Sequence, residues 1–364
     1  MRCVVGRDRS DELKALMADR VLVLDGATGT ALQARELTAE DFGGEAYEGC
    51  NEAVVLHRPD IILDVHRGYL AAGADIVETD TFGATPLVLA EYGLDHRARE
   101  INRAAARLAR EAADAASTAD RPRFVAGSVG PTTKAISVTG GISFEGLVAT
   151  FAEQIRGLVE GGADLLLVET VQDTRNAKAA VIAAETVLAE AGFRLPLWLS
   201  CTVEPTGTML AGQTAEAFWT SMAHTAPLAV GLNCATGPEP MTDHVRTLHH
   251  LAPCAVSCYP NAGLPDEEGR YLETPERLAA ALERFVANGW LNIVGGCCGT
   301  TEGHVAALAA MAEGRSPRRL RGGGRSRVAF SGVEVVELAE DARPLLVGER
   351  TNVIGSRRFR RLVE

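Results

Sequence analysis

Short apolar runs of strand length alternate with longer amphipathic stretches along most of the chain. In the longer stretches apolar residues recur three and four positions apart, which is the period of a helix with one buried face. The strands predicted from the short runs are residues 21–24, 75–78, 123–126, 165–168, 197–199, 229–232, 255–257 and 292–294. The helices predicted between and after them are residues 61–72, 97–115, 144–160, 174–191, 215–225, 239–251, 275–288 and 301–312.

Glycines stand where several of these helices end, at Gly73, Gly162, Gly192 and Gly289. Such glycines commonly close a helix before the next strand. The phrase GADIVET, which begins at Gly73, is echoed by GADLLLVET, which begins at Gly162. Each echo is one helix-to-strand corner, and the repetition indicates repeated βα units rather than separate folds.

Eight strands that alternate with helices predict an α/β fold of the (β/α)₈ TIM-barrel type. An open doubly wound sheet is the alternative, but it usually has fewer strands, and no dinucleotide-binding glycine motif follows the first strand. Residues 35–58 are rich in Glu, Gly and Tyr and are longer than an ordinary connection. We expect them to pack over the mouth of the barrel.

The composition changes after Gly314, where the basic and glycine-rich stretch RSPRRLRGGGRSR begins. This stretch predicts a solvated flexible spacer in preference to a nucleic-acid-binding tail. The predicted organisation is therefore a barrel over residues 1–314, a linker over 315–343 and a further segment over 344–364. The last segment resumes a strand-like pattern at 345–347 and is interpreted as the first element of another domain.

Charge and composition narrow the classes of function. The 364 residues include 36 Lys and Arg against 48 Asp and Glu, a net charge of −12, and only 5% are aromatic. Neither a general electrostatic affinity for nucleic acid nor a set of base-stacking aromatics is expected. Residues 1–25 carry charges throughout, and the longest uncharged window, 217–238, contains polar residues and a proline. We therefore predict a cytoplasmic protein with no membrane span.

The cysteines point to a metal site. Cys297 and Cys298 are adjacent and flanked by glycines directly after the last predicted strand, and Cys234 follows the sixth. Only a distorted glycine-rich turn could aim two adjacent sulfurs at one point. Three thiolates with one open position would form a catalytic zinc site, whereas four ligands would form a structural one. Burial as small hydrophobic residues is the alternative, and spacing alone does not exclude Cys201 or Cys258 as ligands.

Two carboxylates lie at predicted strand ends, where the active sites of parallel barrels are found. Asp25 follows the first strand, and Glu169 follows the fourth. Asp25 could instead cap the next helix, and Glu169 could pair with Arg175. If both carboxylates face a shared pocket, they would suit a substrate ammonium group, and the residues alone leave these possibilities open.

Three motifs together resemble those of the homocysteine S-methyltransferase family: DGATGT at 25–30, GLNC at 231–234 and GGCCGTT at 295–301. The resemblance covers about residues 10–314 and is greatest to the N-terminal homocysteine-binding modules of cobalamin-dependent methionine synthases. The stretch GERTNVIGS at 348–356 is similar to the opening of the methyltetrahydrofolate (pterin)-binding domain of such enzymes. The last segment of the chain is thus identified as the truncated start of that domain.

The resemblance implies one Zn²⁺ ion held by Cys234, Cys297 and Cys298, which decides against Cys201 and Cys258. It also implies that Asp25 and Glu169 lie near the amino group of L-homocysteine. The implied reaction is methyl transfer to the homocysteine thiol, giving methionine.

The implied methyl donor is methylcobalamin, held on a domain that this chain does not contain. The implied partners are cobalamin-binding and methyltetrahydrofolate-binding domains, in cis or in trans. A stand-alone enzyme that uses S-methylmethionine and a non-catalytic zinc-binding barrel are the alternatives. Family members often carry Asn where this chain has Asp80, so no role is assigned to that residue.

Overall fold

A computed structural model describes residues 8–320, 328–339, 344 and 352–364. Its central sheet has eight parallel strands in the order β1-β8-β7-β6-β5-β4-β3-β2. A parallel bridge between Leu24 and Ile76 joins the two outer strands, so that the sheet closes into the predicted TIM-type barrel. The strands are β1 (Leu22–Val23), β2 (Ile76–Glu78), β3 (Phe124–Val129), β4 (Leu165–Val171), β5 (Leu197–Cys201), β6 (Ala229–Asn233), β7 (Ala255–Tyr259) and β8 (Ile293–Val294).

Helices surround the barrel, and all eight predicted helices are found within a few residues of their expected bounds. Within the described residues, no helix is both long enough and apolar enough to cross a lipid bilayer. The helices are α1 (Ser10–Asp19), α2 (Thr28–Gln33), α3 (Asn51–His57), α4 (Pro59–Ala72), α5 (Pro86–Leu89), α6 (Ala98–Ala116), α7 (Phe144–Gly161), α8 (Thr174–Ala191), α9 (Ala215–Met222), α10 (Thr242–Leu251), α11 (Pro275–Ala287), α12 (Glu302–Ala312) and α13 (Arg357–Val363).

Alternate residues of each strand belong to two different apolar clusters, as the period of a strand requires. Leu165 and Leu167 of β4 belong to the cluster inside the barrel, whereas Leu166 belongs to the layer between the sheet and the helices. Leu13 and Met17 of α1 join the inner cluster. The barrel is therefore a packed core, and α1 lies against it.

The repeated GAD phrase forms the same corner twice. Gly73 and Gly162 end α4 and α7 in the left-handed conformation, with φ values of 113° and 96°. The aspartate two residues later is buried each time: Asp75 accepts a hydrogen bond from the backbone N–H of Val23 and Asp164 from that of Val125. Each carboxylate thus ties its own strand to the preceding one.

Glycines in α7 allow it to approach α6 closely. A Cβ atom added at Gly161 would lie 2.4 Å from the Cβ of Ala106 and 2.7 Å from the carbonyl oxygen of Arg103. A backbone atom cannot yield as a flexible side chain can, so the two helices would have to separate.

We expect Gly161→Ala to lower the free energy of unfolding by about 1–3 kcal/mol, the usual cost of overpacking a core. Thermal or denaturant unfolding measures this change. Gly303→Ala is the matched control, because an added Cβ at this helical position meets atoms only at ordinary distances of 3.6 Å. Equal effects of the two substitutions would contradict the close-packing explanation.

Residues after 314 differ in part from the solvated spacer predicted for them. Arg318 is only 1% exposed, and its guanidinium donates to the carbonyl oxygen of Cys254 at 2.8 Å. Asn292 in turn donates to the carbonyl oxygen of Arg318 at 2.8 Å. The charge of Arg318 is accommodated by backbone acceptors at the base of the barrel, a feature that composition does not reveal.

The predicted linker also contains an antiparallel hairpin of β9 (Ala329–Ser331) and β10 (Val335–Glu337), which packs against α9. The strand-like run at 345–347 and residues 348–351 of the GERTNVIGS motif lie outside the described residues. The boundaries at 314 and 343 remain predictions.

Candidate active site

Three cysteine sulfurs converge at the carboxyl end of the barrel. Cys234 follows β6, and Cys297 and Cys298 follow β8. Their Sγ atoms all lie within 4.8 Å of one another, and those of Cys234 and Cys298 are 3.8 Å apart. The sequence predicted this convergence.

The backbone after β8 turns sharply so that adjacent cysteines can share one point. Gly299, with φ at 79°, leaves no room for a side chain, because an added Cβ would lie 2.1 Å from the ring of Tyr271. The N–H of Cys297 donates to the carbonyl oxygen of Pro260, and that of Cys298 donates to Asn261 Oδ1 at 3.1 Å. The loop after β7 thus holds the turn in place.

The spacing and chemistry of these sulfurs fit a zinc ion. Tetrahedral zinc binds cysteine sulfur at about 2.3 Å, which separates two coordinated sulfurs by about 3.8 Å. Cys234 and Cys298 match that separation. Hydrogen bonds from Cys234 and Cys297 lower the pKa of Cys298, so the trio already favours one thiolate.

The other candidate thiols lie away from this cluster. Cys201 and Cys258 are fully buried within β5 and β7, and the Cys258 sulfur contacts that of Met241 at 3.7 Å. Burial raises the pKa of both thiols well above the usual range, as expected of thiols in the core. Neither belongs to the sulfur trio.

Asp25 and Glu169 are both buried at the same end of the barrel, 1% and 3% exposed. Asp25 Oδ2 accepts a hydrogen bond from the N–H of Glu78 at 3.0 Å, and its Oδ1 has no partner. The side chain does not cap α2. Glu169 accepts a hydrogen bond from the Ser128 hydroxyl and does not form the alternative ion pair with Arg175.

Glu78 is a third carboxylate at this position, which the sequence analysis did not single out. Its Oε1 atom is buried without a hydrogen-bond partner. Burial raises its pKa well above the usual range, and the like charges of Glu169 and Asp25 raise it further. No Lys or Arg among the described residues forms an ion pair with any of the three carboxylates. The described part of the protein therefore supplies no positive charge to balance them.

Electrostatic coupling joins the carboxylates to the sulfurs. Burial raises the pKa of Glu169 to about 7, the Ser128 hydrogen bond opposes the rise, and the charge of Cys234 adds to it. Burial likewise raises the pKa of Asp25, with a further contribution from Glu169. One pocket therefore presents soft sulfur ligands beside carboxylates that favour a positively charged neighbour.

Two further residues contact this pocket without having been assigned to it from the sequence. Asn233, fully buried at the end of β6, lies between Thr170 and Cys297. Tyr271, in the loop after β7, lies with its ring against Gly299, next to Cys298. The GLNC motif contains Asn233 beside a predicted ligand, which is the signal that could have identified it; nothing comparable marks Tyr271.

Comparison with known proteins places this site in a family. Residues 22–312 match the family model described as homocysteine S-methyltransferase. The metallated form of the homocysteine methyltransferase MmuM from Escherichia coli is 29% identical, with a TM-score of 0.67, over 81% of this chain and 98% of that one. Its oxidized form is 28% identical, with a TM-score of 0.66, over 80% and 95%. The family match spans most of the chain and includes every residue of the pocket, and the protein therefore belongs to the homocysteine S-methyltransferase family of enzymes.

Proposed function

We propose that this chain transfers a methyl group to the thiol of L-homocysteine, giving methionine, as the homocysteine module of a cobalamin-dependent methionine synthase. The observation that carries the proposal is the convergence of Cys234, Cys297 and Cys298 beside the buried carboxylates. Family membership supports the acceptor and the reaction class.

The sulfur trio would hold a zinc ion through Cys234, Cys297 and Cys298. A free thiol has a pKa of about 8.5, so only a few per cent of homocysteine is thiolate at neutral pH. Bound zinc supplies Lewis-acid chemistry that lowers the pKa of a coordinating thiol. The three cysteines are only partly buried, so a substrate sulfur can approach them from the barrel mouth.

The carboxylates of Asp25, Glu78 and Glu169 would bind the substrate's ammonium group. Each is held in an environment that penalises its charge, and a cation between them relieves that penalty. Binding at this point fixes the substrate at its amino end while its thiol lies towards the sulfur cluster. Orientation of this kind lowers the entropic part of the reaction barrier.

In the transfer itself the homocysteine thiol releases its proton to solvent, and its sulfur forms the bond to the methyl carbon. The bond from that carbon to its carrier breaks, and the electron pair stays on the carrier. The product is a neutral thioether, which would be a weaker ligand for a zinc ion than a thiolate.

Support for methylcobalamin as the donor comes from the sequence of the tail. The stretch at 348–356 resembles the opening of a methyltetrahydrofolate-binding domain, which accompanies a cobalamin domain in methionine synthases. S-methylmethionine remains the alternative donor, and a non-catalytic zinc-binding barrel remains the alternative to an enzyme.

We expect the zinc-loaded chain to form methionine from homocysteine and added methylcobalamin, and to do so faster than with S-methylmethionine. Chromatographic measurement of methionine with each donor tests this. Turnover with S-methylmethionine alone would favour a stand-alone methyltransferase. Loss of both activities in a chain with full zinc content would favour the non-catalytic barrel.

A further inference from the structure

Asn233 connects the two halves of the pocket through its side chain. Its Oδ1 atom accepts hydrogen bonds from the backbone N–H of Thr170 at 3.0 Å and from the Ser200 hydroxyl at 2.7 Å. Its Nδ2 atom donates to Thr170 Oγ1 at 2.7 Å and approaches Cys297 Sγ at 4.0 Å. Because the residue is 0% exposed, water cannot replace any of these contacts.

Thr170 is the residue that most needs such support. Its φ angle is 51°, in the left-handed region that a β-branched residue seldom adopts. A conformation of this kind persists only where the surrounding structure imposes it. Asn233 contacts Thr170 at both its backbone N–H and its hydroxyl, so one amide side chain fixes the bend.

The bend determines where the preceding residue points. Glu169 directly precedes Thr170, and its carboxylate reaches Ser128 in the carboxylate half of the pocket. On the other side, Asn233 directly precedes Cys234, which is itself left-handed with φ at 58°. Asn233 therefore contacts the bend that positions the Glu169 carboxylate, and it directly precedes one of the three cysteines of the sulfur cluster.

We propose that Asn233 is a positioning residue, which holds the Glu169–Thr170 bend against Cys297 so that the carboxylate and the sulfur cluster keep one relative geometry. Asn233 contacts no reacting atom in this role. The part of the inference that concerns homocysteine rests on the proposed function, whereas the part that concerns the bend does not.

The bend is tested in the metal-free chain by thermal unfolding. Glycine adopts positive φ without strain, so Thr170→Gly removes the need for support, together with the hydroxyl that accepts from Asn233 Nδ2. We expect Asn233→Ala to lower the Tm clearly in the original background and much less in the Thr170→Gly background. Equal losses in the two backgrounds would overturn the inference.

Asn292 provides the matched control. It is also an asparagine at 0% exposure, and it bonds Val256, Met17 and Arg318 away from the pocket. Asn292→Ala is expected to lower the Tm by the same amount in both backgrounds. If its loss also shrank with Thr170→Gly, the effect would be general and the inference would fail.

The consequence for the substrate is tested by calorimetry on the zinc-loaded chain. The ratio of the Kd of 4-mercaptobutanoate, which lacks the amino group, to that of homocysteine measures recognition of that group. We expect Asn233→Ala to lower this ratio about tenfold, the effect of one hydrogen bond to a charged group, and Asn292→Ala to leave it unchanged.

Failure of the inference can be distinguished from failure of the proposed function. If Glu169→Gln lowers the ratio but Asn233→Ala does not, the positioning role is wrong and the proposed role of Glu169 stands. If Glu169→Gln has no effect, the carboxylate role is wrong, and the unfolding experiment alone decides the role of Asn233. In the calorimetric test Thr170→Ala, which removes the hydroxyl that accepts from Asn233 Nδ2, replaces Asn233→Ala if that variant does not fold, and it is expected to lower the ratio as well.

Discussion

Replacing either Cys297 or Cys298 with alanine is expected to abolish zinc retention and methyl transfer while the barrel stays folded. Each substitution removes one of three sulfurs that lie within 4.8 Å of one another, leaving two ligands. Structural stability should change little, because both side chains are only partly buried at the rim, although that of Cys297 also packs against the inner apolar cluster. Elemental analysis of purified protein gives the zinc content, and far-ultraviolet circular dichroism reports the fold.

Cys254→Ala is the matched control for these variants. Cys254 is a partly buried thiol that directly precedes β7, whereas the trio follows strand ends, and its carbonyl contact with Arg318 does not involve the side chain. This variant should retain zinc at the original stoichiometry. Full zinc in Cys297→Ala or Cys298→Ala would show that the trio is not the metal site.

The barrel could be predicted because its pattern is repeated. Eight strands of similar spacing, with helix-ending glycines at Gly73 and Gly162, leave few other ways to bury the apolar faces. Residues 315–320 were harder, because the burial of Arg318 depends on carbonyl oxygens from distant parts of the chain. The local composition shows only a charged, glycine-rich stretch and does not indicate that Arg318 is buried.

Cys297 and Cys298 could also be predicted, since adjacent cysteines in a glycine-rich turn are unusual in themselves. Cys234 was preferred to Cys201 and Cys258 only through the family resemblance. Glu78 could not be distinguished in this way, because a carboxylate at a strand end has many ordinary roles and the family resemblance singled out only Asp25 and Glu169. Its importance arises from Asp25 and Glu169, which the closed sheet brings beside it. Tyr271 was missed because the loop that carries it has no chemical signature of its own.

Glu169→Gln and Asp25→Asn are expected to weaken homocysteine binding about 10- to 100-fold, the range for loss of a charge-assisted hydrogen bond. Zinc affinity should change far less, because neither residue is in the sulfur trio. Isothermal calorimetry with homocysteine and zinc competition with a chelator separate the two effects. Glu52→Gln is the control, a carboxylate at the mouth that bonds Gly83 and Cys50 instead.

Above about pH 7, Glu169→Gln should also increase the stability of the metal-free chain, which distinguishes a binding role from a structural one. Burial raises the pKa of Glu169 from 4.5 to about 7, so between these values the folded metal-free chain holds more protons than the unfolded chain. The free energy of unfolding therefore falls as the pH rises through this window. Glu169→Gln should remove that contribution. The Tm of the variant should therefore exceed that of the original chain at pH 8 and differ much less from it at pH 5. A lower Tm at pH 8, with homocysteine affinity unchanged, would mean that the carboxylate stabilises the fold and does not serve the substrate.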